Sequence, residues 1–223
     1  YLLDGLRRRG HGVVAVVPPD AASRPRLEAM GLAVVALPMR GEADLFAALR
    51  LRRLLRARRP PLVHAHTSHA HGLLAWAVRG SARPADARPR LVVSRRVDLS
   101  IYRHSFLGLN GRKYRRADRI LCVSEATARD VEALLHVPRE RLVVTPLGVS
   151  PGHRPVDPDL AAPTLARLGV RPPYVLFAGL AQPRKNLEAI ARVFAGMAAR
   201  RDDLSLVLAG ADGYPEGRLE TIL

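Results

Sequence analysis

Short apolar runs that alternate with helix-like segments constrain the fold of this chain more than any other feature. Residues 12–17, 32–37 and 120–123 are almost wholly apolar and are bounded by glycine, proline or charged residues. The longer segments between such runs place apolar side chains three or four residues apart, which is the period of an amphipathic helix. Strands connected through helices lie parallel, and helices cover both faces of a parallel sheet. The alternation therefore predicts an α/β fold.

A proline-rich stretch interrupts this alternation. Residues 146–163 read PLGVSPGHRPVDPDLAAP, with five prolines and neither a helical nor a strand period. Such a composition is typical of an interdomain linker. We therefore predict one domain over residues 1–145 and the beginning of a second over residues 164–223. The sequence opens inside a helical pattern and ends without a helix-stopping signal, so we expect it to be part of a longer protein.

Arginine dominates the charge of the chain. Of the 36 lysine and arginine residues only Lys113 and Lys185 are lysines, and the 20 acidic residues leave a formal net charge of +16. Nucleotide-sugars, anionic lipids and nucleic acid are the classes of partner that fit this sign. Aromatic residues make up only 4% of the chain, too few for the stacking platforms of single-stranded nucleic-acid binders. We therefore expect no nucleic-acid partner.

One predicted helix concentrates this positive charge. Asp44 is placed to cap a helix over residues 45–59, in which leucines form one side and arginines most of the rest. The simplest interpretation is a surface helix that docks on the domain and keeps its arginines in water. The alternative interpretation is peripheral contact with an anionic membrane.

A loop in the second domain carries a predicted anion site. Residues 174–178 form an apolar run closed by Gly179, which predicts a strand buried on both faces. Arg184 and Lys185 follow in the loop, and Asn186 occupies the N-cap position of the next helix. Cations beside the unpaired N–H groups of a helix start favour a phosphate group.

Histidines cluster at the end of a first-domain strand in the stretch LVHAHTSHAHG. His64 and His66 are two residues apart and therefore share a face of the strand, and His66 is nearer its carboxyl end. Ligands of parallel sheets gather beyond that end, whereas His64 is expected to be a packed residue. The four histidines His64, His66, His69 and His71 also form a candidate metal cluster, as in metal-dependent hydrolases, which is an alternative that the spacing leaves open.

Four stretches of the sequence resemble the retaining glycosyltransferases of family four, which have the GT-B fold. They are RILCVSEATARDV, RLVVTPLGVS, FAGLAQPRKNLEAIARVFAGM and LSLVLAGADGYPEGRLETIL. The resemblance implies a Rossmann-like, parallel-sheet acceptor-side domain, a hinge, and the beginning of a second Rossmann-like domain that binds the donor. It also implies that the first strand and a glycine-rich loop precede Tyr1.

The family's late pair of glutamates is expected beyond Leu223. Glu132 and Glu140 have the spacing of that pair, but they belong to the first domain and Pro138 lies between them, so we reject them. We therefore expect residues 1–223 alone to be inactive.

The resemblance assigns a diphosphate-binding role to the loop of the second domain. Gly179, Arg184, Lys185 and Asn186 are expected to hold the diphosphate of a nucleotide-sugar. The family places a basic residue where this chain has Leu180, and Arg184 is expected to supply the missing charge. Lys185 is then expected to neutralise the charge that builds on the leaving diphosphate.

The resemblance also assigns roles in the first domain. His66 is expected to contact the donor sugar near its reacting carbon and to meet Lys185 across a crevice that closes during catalysis. Arg95, Arg96 and Ser124 are expected to bind the acceptor. Ser124 is explained equally well as the cap of the helix that follows it.

The implied reaction moves a sugar from a nucleotide diphosphate sugar to a glycan or lipid-linked acceptor, with retention of configuration. No metal cofactor is expected. The setting would be cell-envelope polysaccharide or glycolipid synthesis, in the cytoplasm or at the inner face of the cell membrane. A metal-dependent hydrolase and a non-catalytic basic module that binds polyanions are the alternatives.

Overall fold

The computed structural model shows two compact units, which divide between Gly148 and Val149. The division lies inside residues 146–163, the segment predicted to link two domains. Residues 211–223, which carry part of the resemblance to the glycosyltransferases, lie outside the described residues. The structure describes residues 2–79, 88–96, 109–150 and 152–210.

Helices and strands alternate through the first unit, as the apolar pattern predicts. The predicted cap at Asp44 is confirmed, because its Oδ1 accepts a hydrogen bond from the Ala47 N–H at 2.9 Å. The elements in chain order are α1 (Leu2–Arg8), β1 (Val14–Val17), α2 (Arg24–Ala29), β2 (Ala33–Ala36), α3 (Leu45–Arg58), β3 (Leu62–Ala65), α4 (Ser68–Arg79), β4 (Arg90–Arg95), α5 (Leu109–Arg115), β5 (Arg119–Cys122), α6 (Glu125–Leu135) and β6 (Leu142–Val144).

The strands of the first unit form two parallel sheets, which confirms the predicted parallel α/β arrangement. One sheet pairs β1 with β2, and the other has the strand order β3-β4-β5-β6. Parallel neighbours need a crossover between them, and α4, α5 and α6 lie in the three crossovers of the larger sheet. The carboxyl ends of its four strands therefore share one edge, and their amino ends share the opposite edge.

The core of the first unit lies between this sheet and its helices. Leu73 of α4, Leu91 of β4 and Ile120 of β5 are at most 1% exposed and belong to one apolar cluster. The basic helix α3 docks through its apolar side, since Leu51 and Leu55 are buried in the same cluster. This is the arrangement that the simplest interpretation of the helix predicts.

The second unit is smaller, and its sheet is covered on one face. β7 and β8 are parallel neighbours, and Leu187 and Ile190 of α8 pack with Phe177 and Leu208. The prediction that β7 is buried on both faces was wrong, because Leu176 is 54% exposed and no described element covers it. The elements are α7 (Pro158–Arg167), β7 (Tyr174–Ala178), α8 (Leu187–Ala198) and β8 (Ser205–Ala209).

Helix α7 begins inside the segment that the sequence predicts to be irregular. The Asp157 carboxylate accepts a hydrogen bond from the Asp159 N–H at 3.0 Å, and Pro158 takes the first helical position. The prediction was wrong for residues 158–163, because a proline at the first position of a helix needs no N–H partner and favours the helical φ. Among the helices of the described residues, none is both long and apolar enough to cross a bilayer.

Candidate functional site

The carboxyl edge of the four-stranded sheet brings the predicted residues of the first unit to one place. His66 directly follows β3, Arg95 is the last residue of β4, and Ser124 lies two residues after β5. The register pairs Arg95 with Cys122, so β4 and β5 end at the same level. In α/β folds, ligands bind outside the carboxyl ends of the strands, which makes this edge the candidate site of the unit.

His66 is in direct contact with Arg96. Nη2 of Arg96 lies 3.2 Å from Nδ1 of His66. A guanidinium group only donates hydrogen bonds, so Nδ1 is the acceptor and the neutral ring carries its hydrogen on Nε2. The side chain reaches the surface, which leaves Nε2–H as a donor for a ligand hydroxyl or other oxygen. Partial burial of the ring, and then the charge of Arg96, hold the pKa of His66 below its usual value.

His64 packs behind His66, as predicted. Its Nε2 lies 2.8 Å from Oγ of Ser94, and the two imidazole rings are 4.0 Å apart between centroids. Burial, followed by the proximity of His66 and Arg96, lowers the pKa of His64 to about 4. His64 is therefore neutral at pH 7 and supports the ring of His66 from behind.

Of the two arginines predicted to bind a ligand, Arg96 is the one placed to do so. Arg95 is only 5% exposed because it shares a face of β4 with the buried Leu91 and Val93, two and four residues before it. The expectation that Arg95 binds the acceptor does not fit this burial. Arg96, the next residue, is exposed and contacts His66.

Ser124 caps helix α6. Its Oγ accepts a hydrogen bond from the Thr127 N–H at 3.2 Å and lies 3.1 Å from the Thr127 hydroxyl. The capping interpretation of Ser124 is therefore confirmed. The residue lies at the same edge as His66, but its hydroxyl is already engaged within its own helix.

A polar network that no sequence pattern predicted fixes the start of α4, two residues after His66. Lys113 Nζ of α5 lies 2.8 Å from Oε2 of Glu42 and 3.2 Å from Oγ of Ser68. The Ser68 hydroxyl donates to Oε1 of Glu42 at 2.5 Å. Only 9% of the Lys113 side chain is exposed. The network of Glu42, Ser68 and Lys113 therefore ties three distant segments together inside the unit.

Two features of the network explain its geometry and its charge. Gly72 of α4 makes room for it, since a Cβ there would lie 2.9 Å from Cβ of Glu42. Burial by itself would raise the pKa of Glu42, but the hydrogen bonds from Lys113 and Ser68 outweigh burial and hold it below its usual value. The one signal in the sequence was that Lys113 is one of only two lysines among 36 cations.

The four neighbouring histidines do not converge on a common point. His71 is fully buried, with Nε2 3.2 Å from the carbonyl of Lys113 and its ring edge-on to Tyr114 at 4.6 Å. Burial, and then the charge of Lys113, lowers its pKa to about 3. Within the described part of the chain, no three histidine, cysteine or acidic side chains lie close enough to hold a metal ion. The metal-hydrolase interpretation therefore finds no ligand set among these described residues.

The turn after β7 holds the second unit's predicted phosphate ligands. The N–H of Gly179 donates a hydrogen bond of 2.8 Å to the carbonyl of Ala209. The φ of Gly179 is +146°. A short 3-10 turn then spans Pro183–Lys185, with Arg184 at its centre. The Lys185 side chain is exposed and stands two residues before α8 begins.

Glycine is required where the two strands of this unit end. Gly179 and Gly210 follow β7 and β8, and both have a positive φ, of +146° and +150°. A Cβ added to Gly210 would overlap the carbonyl group of Gly179. The two backbones can therefore meet only if Gly210 has no side chain.

Asn186 lies at the start of α8, but its side chain does not cap the helix. Its carbonyl accepts hydrogen bonds from the N–H groups of Ala189 and Ile190, whereas its side chain makes no capping bond. The predicted cap was wrong because Asn186 also ends the 3-10 turn, with a left-handed φ of 52°. A side-chain cap needs an extended backbone, and asparagine is one of the few residues that tolerates the left-handed one.

Comparison with known proteins gives a family and a fold. The model of Glycosyltransferase Family 4 matches residues 1–153. No curated protein matches the sequence. The structure of HepE from Anabaena in complex with UDP and glucose is similar, with a TM-score of 0.76 and 17% identity over 99% of this chain and 59% of that one.

Two further solved structures support the same fold. HepE in complex with UDP-glucose has a TM-score of 0.76 and 18% identity, over 99% of this chain and 60% of that one. A glycosyltransferase from Rickettsia africae has a TM-score of 0.61 and 12% identity, over 95% of this chain and 63% of that one. The chain thus spans about 60% of the HepE structures that it matches. The predicted Rossmann-like α/β fold of the GT-B type is confirmed.

Proposed function

Because the chain belongs to glycosyltransferase family 4, we propose that its protein transfers a sugar from a nucleotide diphosphate sugar to a hydroxyl group of an acceptor. The observation that carries this proposal is the exposed Lys185 in the turn between β7 and α8. HepE, which has the same fold, binds UDP-glucose. We therefore propose a UDP-sugar as the donor.

Lys185 is the proposed partner of the donor diphosphate. In the reaction, the bond between the anomeric carbon and the diphosphate oxygen breaks, and negative charge builds on that oxygen. An exposed ammonium group beside the positive end of a helix dipole stabilises that charge. Gly179, Asn186 and Arg184 belong to the same turn region and are proposed to shape it around the diphosphate.

His66 is proposed to orient the donor sugar. The contact from Arg96 fixes its tautomer, so that Nε2–H is free to donate to a sugar oxygen. Because the pKa of His66 is lowered, the ring is neutral at pH 7 and acts as a hydrogen-bond donor rather than as an acid. Arg96 is proposed to act through this contact and to meet an anionic acceptor, with Ser124 at the same edge.

The finer features of the reaction belong to the same proposal. We propose retention of configuration, a glycan or lipid-linked acceptor, and a role in cell-envelope polysaccharide or glycolipid synthesis. The new bond joins the acceptor oxygen to the anomeric carbon, and the acceptor proton leaves with the nucleoside diphosphate as its base. We also propose that no metal takes part, so turnover should survive EDTA.

Substitution of His66 tests this proposal. With the full-length protein, since residues 1–223 alone are expected to be inactive, and with UDP-glucose as donor and UDP release as the readout, His66→Ala should lower kcat/KM at least tenfold. His66→Gln should restore part of the loss, because an amide N–H can replace Nε2–H as donor. His11→Ala removes an exposed histidine outside the site and should leave turnover unchanged. Equal turnover by the wild type and His66→Ala would contradict the role of His66.

Peripheral contact with an anionic membrane is a second part of the proposal. Leu45 and Phe46 of α3 are 62% and 76% exposed, next to the exposed Arg50 and Arg53 of the same helix. Apolar side chains beside arginines are typical of helices that lie in a membrane interface. Phe46→Ser should weaken cosedimentation with vesicles of phosphatidylglycerol, while Phe194→Ser, in the second unit, should not. Equal cosedimentation by both variants would contradict this contact.

A further inference from the structure

The amino edge of the four-stranded sheet, opposite the candidate site, lines a partly open cavity of about 550 Å³. We call it the arginine cavity, because seven of its twelve lining residues are arginines. They come from the end of α4, from the residues before and at the starts of β4, β5 and β6, and from the end of α5. Nothing in the reaction proposed above uses this edge.

The cavity holds one carboxylate among its lining residues, and that group is already engaged. Asp118 accepts two hydrogen bonds of 2.8 Å from Arg88, one of 3.2 Å from Arg90 and one of 2.8 Å from the N–H of Leu91. Its side chain is 14% exposed. Asp118 therefore neutralises the Arg88 side of the cavity and cannot also balance the arginines on the other side.

On the other side of the cavity, three arginines donate hydrogen bonds to backbone carbonyls. Arg141 Nη1 donates to the carbonyl of Arg115 at 2.8 Å, and Arg115 Nη1 donates to the carbonyl of Leu135 at 3.2 Å. Arg119 Nη1 donates to the carbonyl of Asp118 at 2.8 Å. These neutral acceptors fix the guanidinium groups without removing their charge.

Two cavity arginines have no polar partner among the described residues. The side chains of Arg79, at the end of α4, and Arg116, directly after α5, are exposed and make no hydrogen bond or ion pair there. No described residue therefore occupies the N–H donors of either guanidinium, which can bind a ligand. Like charges gathered around one concave site repel each other, and a bound anion relieves that repulsion.

We propose that the arginine cavity is a second anion site, which binds a phosphate group. A guanidinium group donates two parallel hydrogen bonds to phosphate oxygens, and this fork suits phosphate better than a spherical anion such as chloride. The phosphate comes either from a soluble phosphate compound or from the headgroup of an anionic lipid. Both sources present the same oxygens to the cavity.

Calorimetry with inorganic phosphate tests the site. We expect saturable binding at low ionic strength that is not reproduced by chloride at the same ionic strength. The double substitution Arg79→Gln with Arg116→Gln should weaken phosphate binding at least tenfold, because it removes the two guanidinium groups that lack partners. Neither residue is buried, so the variant is expected to fold. Arg26→Gln, which removes an exposed arginine on α2 outside the cavity, should leave phosphate binding within twofold of the wild type.

A third variant separates this proposal from the proposed function. Lys185→Ala should leave phosphate binding by the arginine cavity unchanged, because the two lie in different units. Binding that disappears in Lys185→Ala but survives in the double variant would overturn the cavity site. An absence of saturable phosphate binding, or an equal loss in Arg26→Gln, would also overturn it.

Vesicles identify the source of the phosphate. If it belongs to a lipid, vesicles of phosphatidic acid in phosphatidylcholine should bind the wild type at least tenfold more strongly than the double variant, and soluble phosphate should compete. If it belongs to a soluble compound, the vesicles should bind both proteins equally while the calorimetric difference remains. Both results support a phosphate site, and equal phosphate binding by both proteins contradicts it.

Discussion

The two units are built from the same alternation of strands and helices, yet they differ in how completely their strands are buried. In the first unit, Ile120 of β5 is 0% exposed, whereas Leu176 of β7 in the second unit is 54% exposed. Both lie in apolar runs that predict a buried strand. An apolar run therefore predicts that a strand forms, but burial depends on which elements cover the sheet.

Removal of a core side chain should show this difference most strongly. Ile120→Ala deletes three buried carbon atoms and leaves a cavity in the packed core, which should destabilise the first unit by ~2–5 kcal/mol. Urea unfolding can be followed through Trp76, the one tryptophan of the chain, which lies on α4 of the first unit. Its indole is 65% exposed in the folded unit, so hydrogen exchange of the β5 amides is measured beside its fluorescence.

Leu176→Ala is the matched control in the second unit. It removes a side chain that is already half exposed, so its effect should stay below ~1 kcal/mol. Trp76 lies in the first unit and does not report on the second. The change in stability caused by Leu176→Ala is therefore measured by hydrogen exchange of the β7 amides. If Leu176→Ala lowered the free energy of unfolding as much as Ile120→Ala does, the open face of β7 would have to be covered in solution.

Acid should weaken the first unit through Asp118. Burial by itself would raise the pKa of Asp118, but the hydrogen bonds from Arg88, Leu91 and Arg90 outweigh burial and lower it to about 2. A carboxylate with a lowered folded-state pKa contributes stability above its unfolded value of ~3.8, and this stability is lost as the pH falls through about 2. The contribution at pH 7 is ~2 kcal/mol.

Asp118→Asn should remove that pH dependence. Urea midpoints followed by Trp76 should fall more steeply between pH 5 and pH 2 for the wild type than for the variant. Asp203→Asn is the control, because its carboxylate pairs with Arg201 on the exposed surface of the second unit. If the wild type and Asp118→Asn lose stability in parallel, Asp118 is not the group responsible.

Two of the three predicted helix caps, Ser124 and Asn186, give the comparison with the smallest expected effect. Ser124→Ala removes a hydroxyl that accepts from the Thr127 N–H, and it should cost ~1 kcal/mol. Asn186→Gly should change the stability of the second unit by only a few tenths of a kcal/mol, because the side chain caps nothing and glycine tolerates the left-handed φ. Hydrogen exchange of the first amides of α6 and α8 measures both. A larger loss at Asn186 than at Ser124 would contradict the observed geometry.

Local signals in the sequence were sufficient for the elements of the fold. Asp44 and Ser124 are caps in the structure because each precedes an apolar helical period, and that combination is visible in the chain. Asn186 has the same signal, yet the 3-10 turn before it sets a left-handed backbone. Whether Asn186 caps α8 depends on the 3-10 turn before it, and the spacing of apolar residues in α8 does not predict that turn.

The features that were missed depend on residues far apart in the chain. Lys113 pairs with Glu42 across 71 positions, and no local pattern marks either partner. The arginine cavity likewise draws on residues between Ala75 and Arg141. Arginine is so frequent in this sequence that the seven arginines of the cavity cannot be told from the others by residue type. Only the parallel register, which aligns the amino ends of β4, β5 and β6, brings them together.

The proposed function depends most directly on Lys185 as a ligand of the donor diphosphate. Calorimetric titration of UDP-glucose into the protein should show saturable binding that Lys185→Ala weakens at least tenfold. Arg192→Ala, which removes an exposed cation further along α8, should leave the Kd within twofold of the wild type. If Lys185→Ala binds UDP-glucose as tightly as the wild type does, the turn before α8 is not the donor site and the account is wrong.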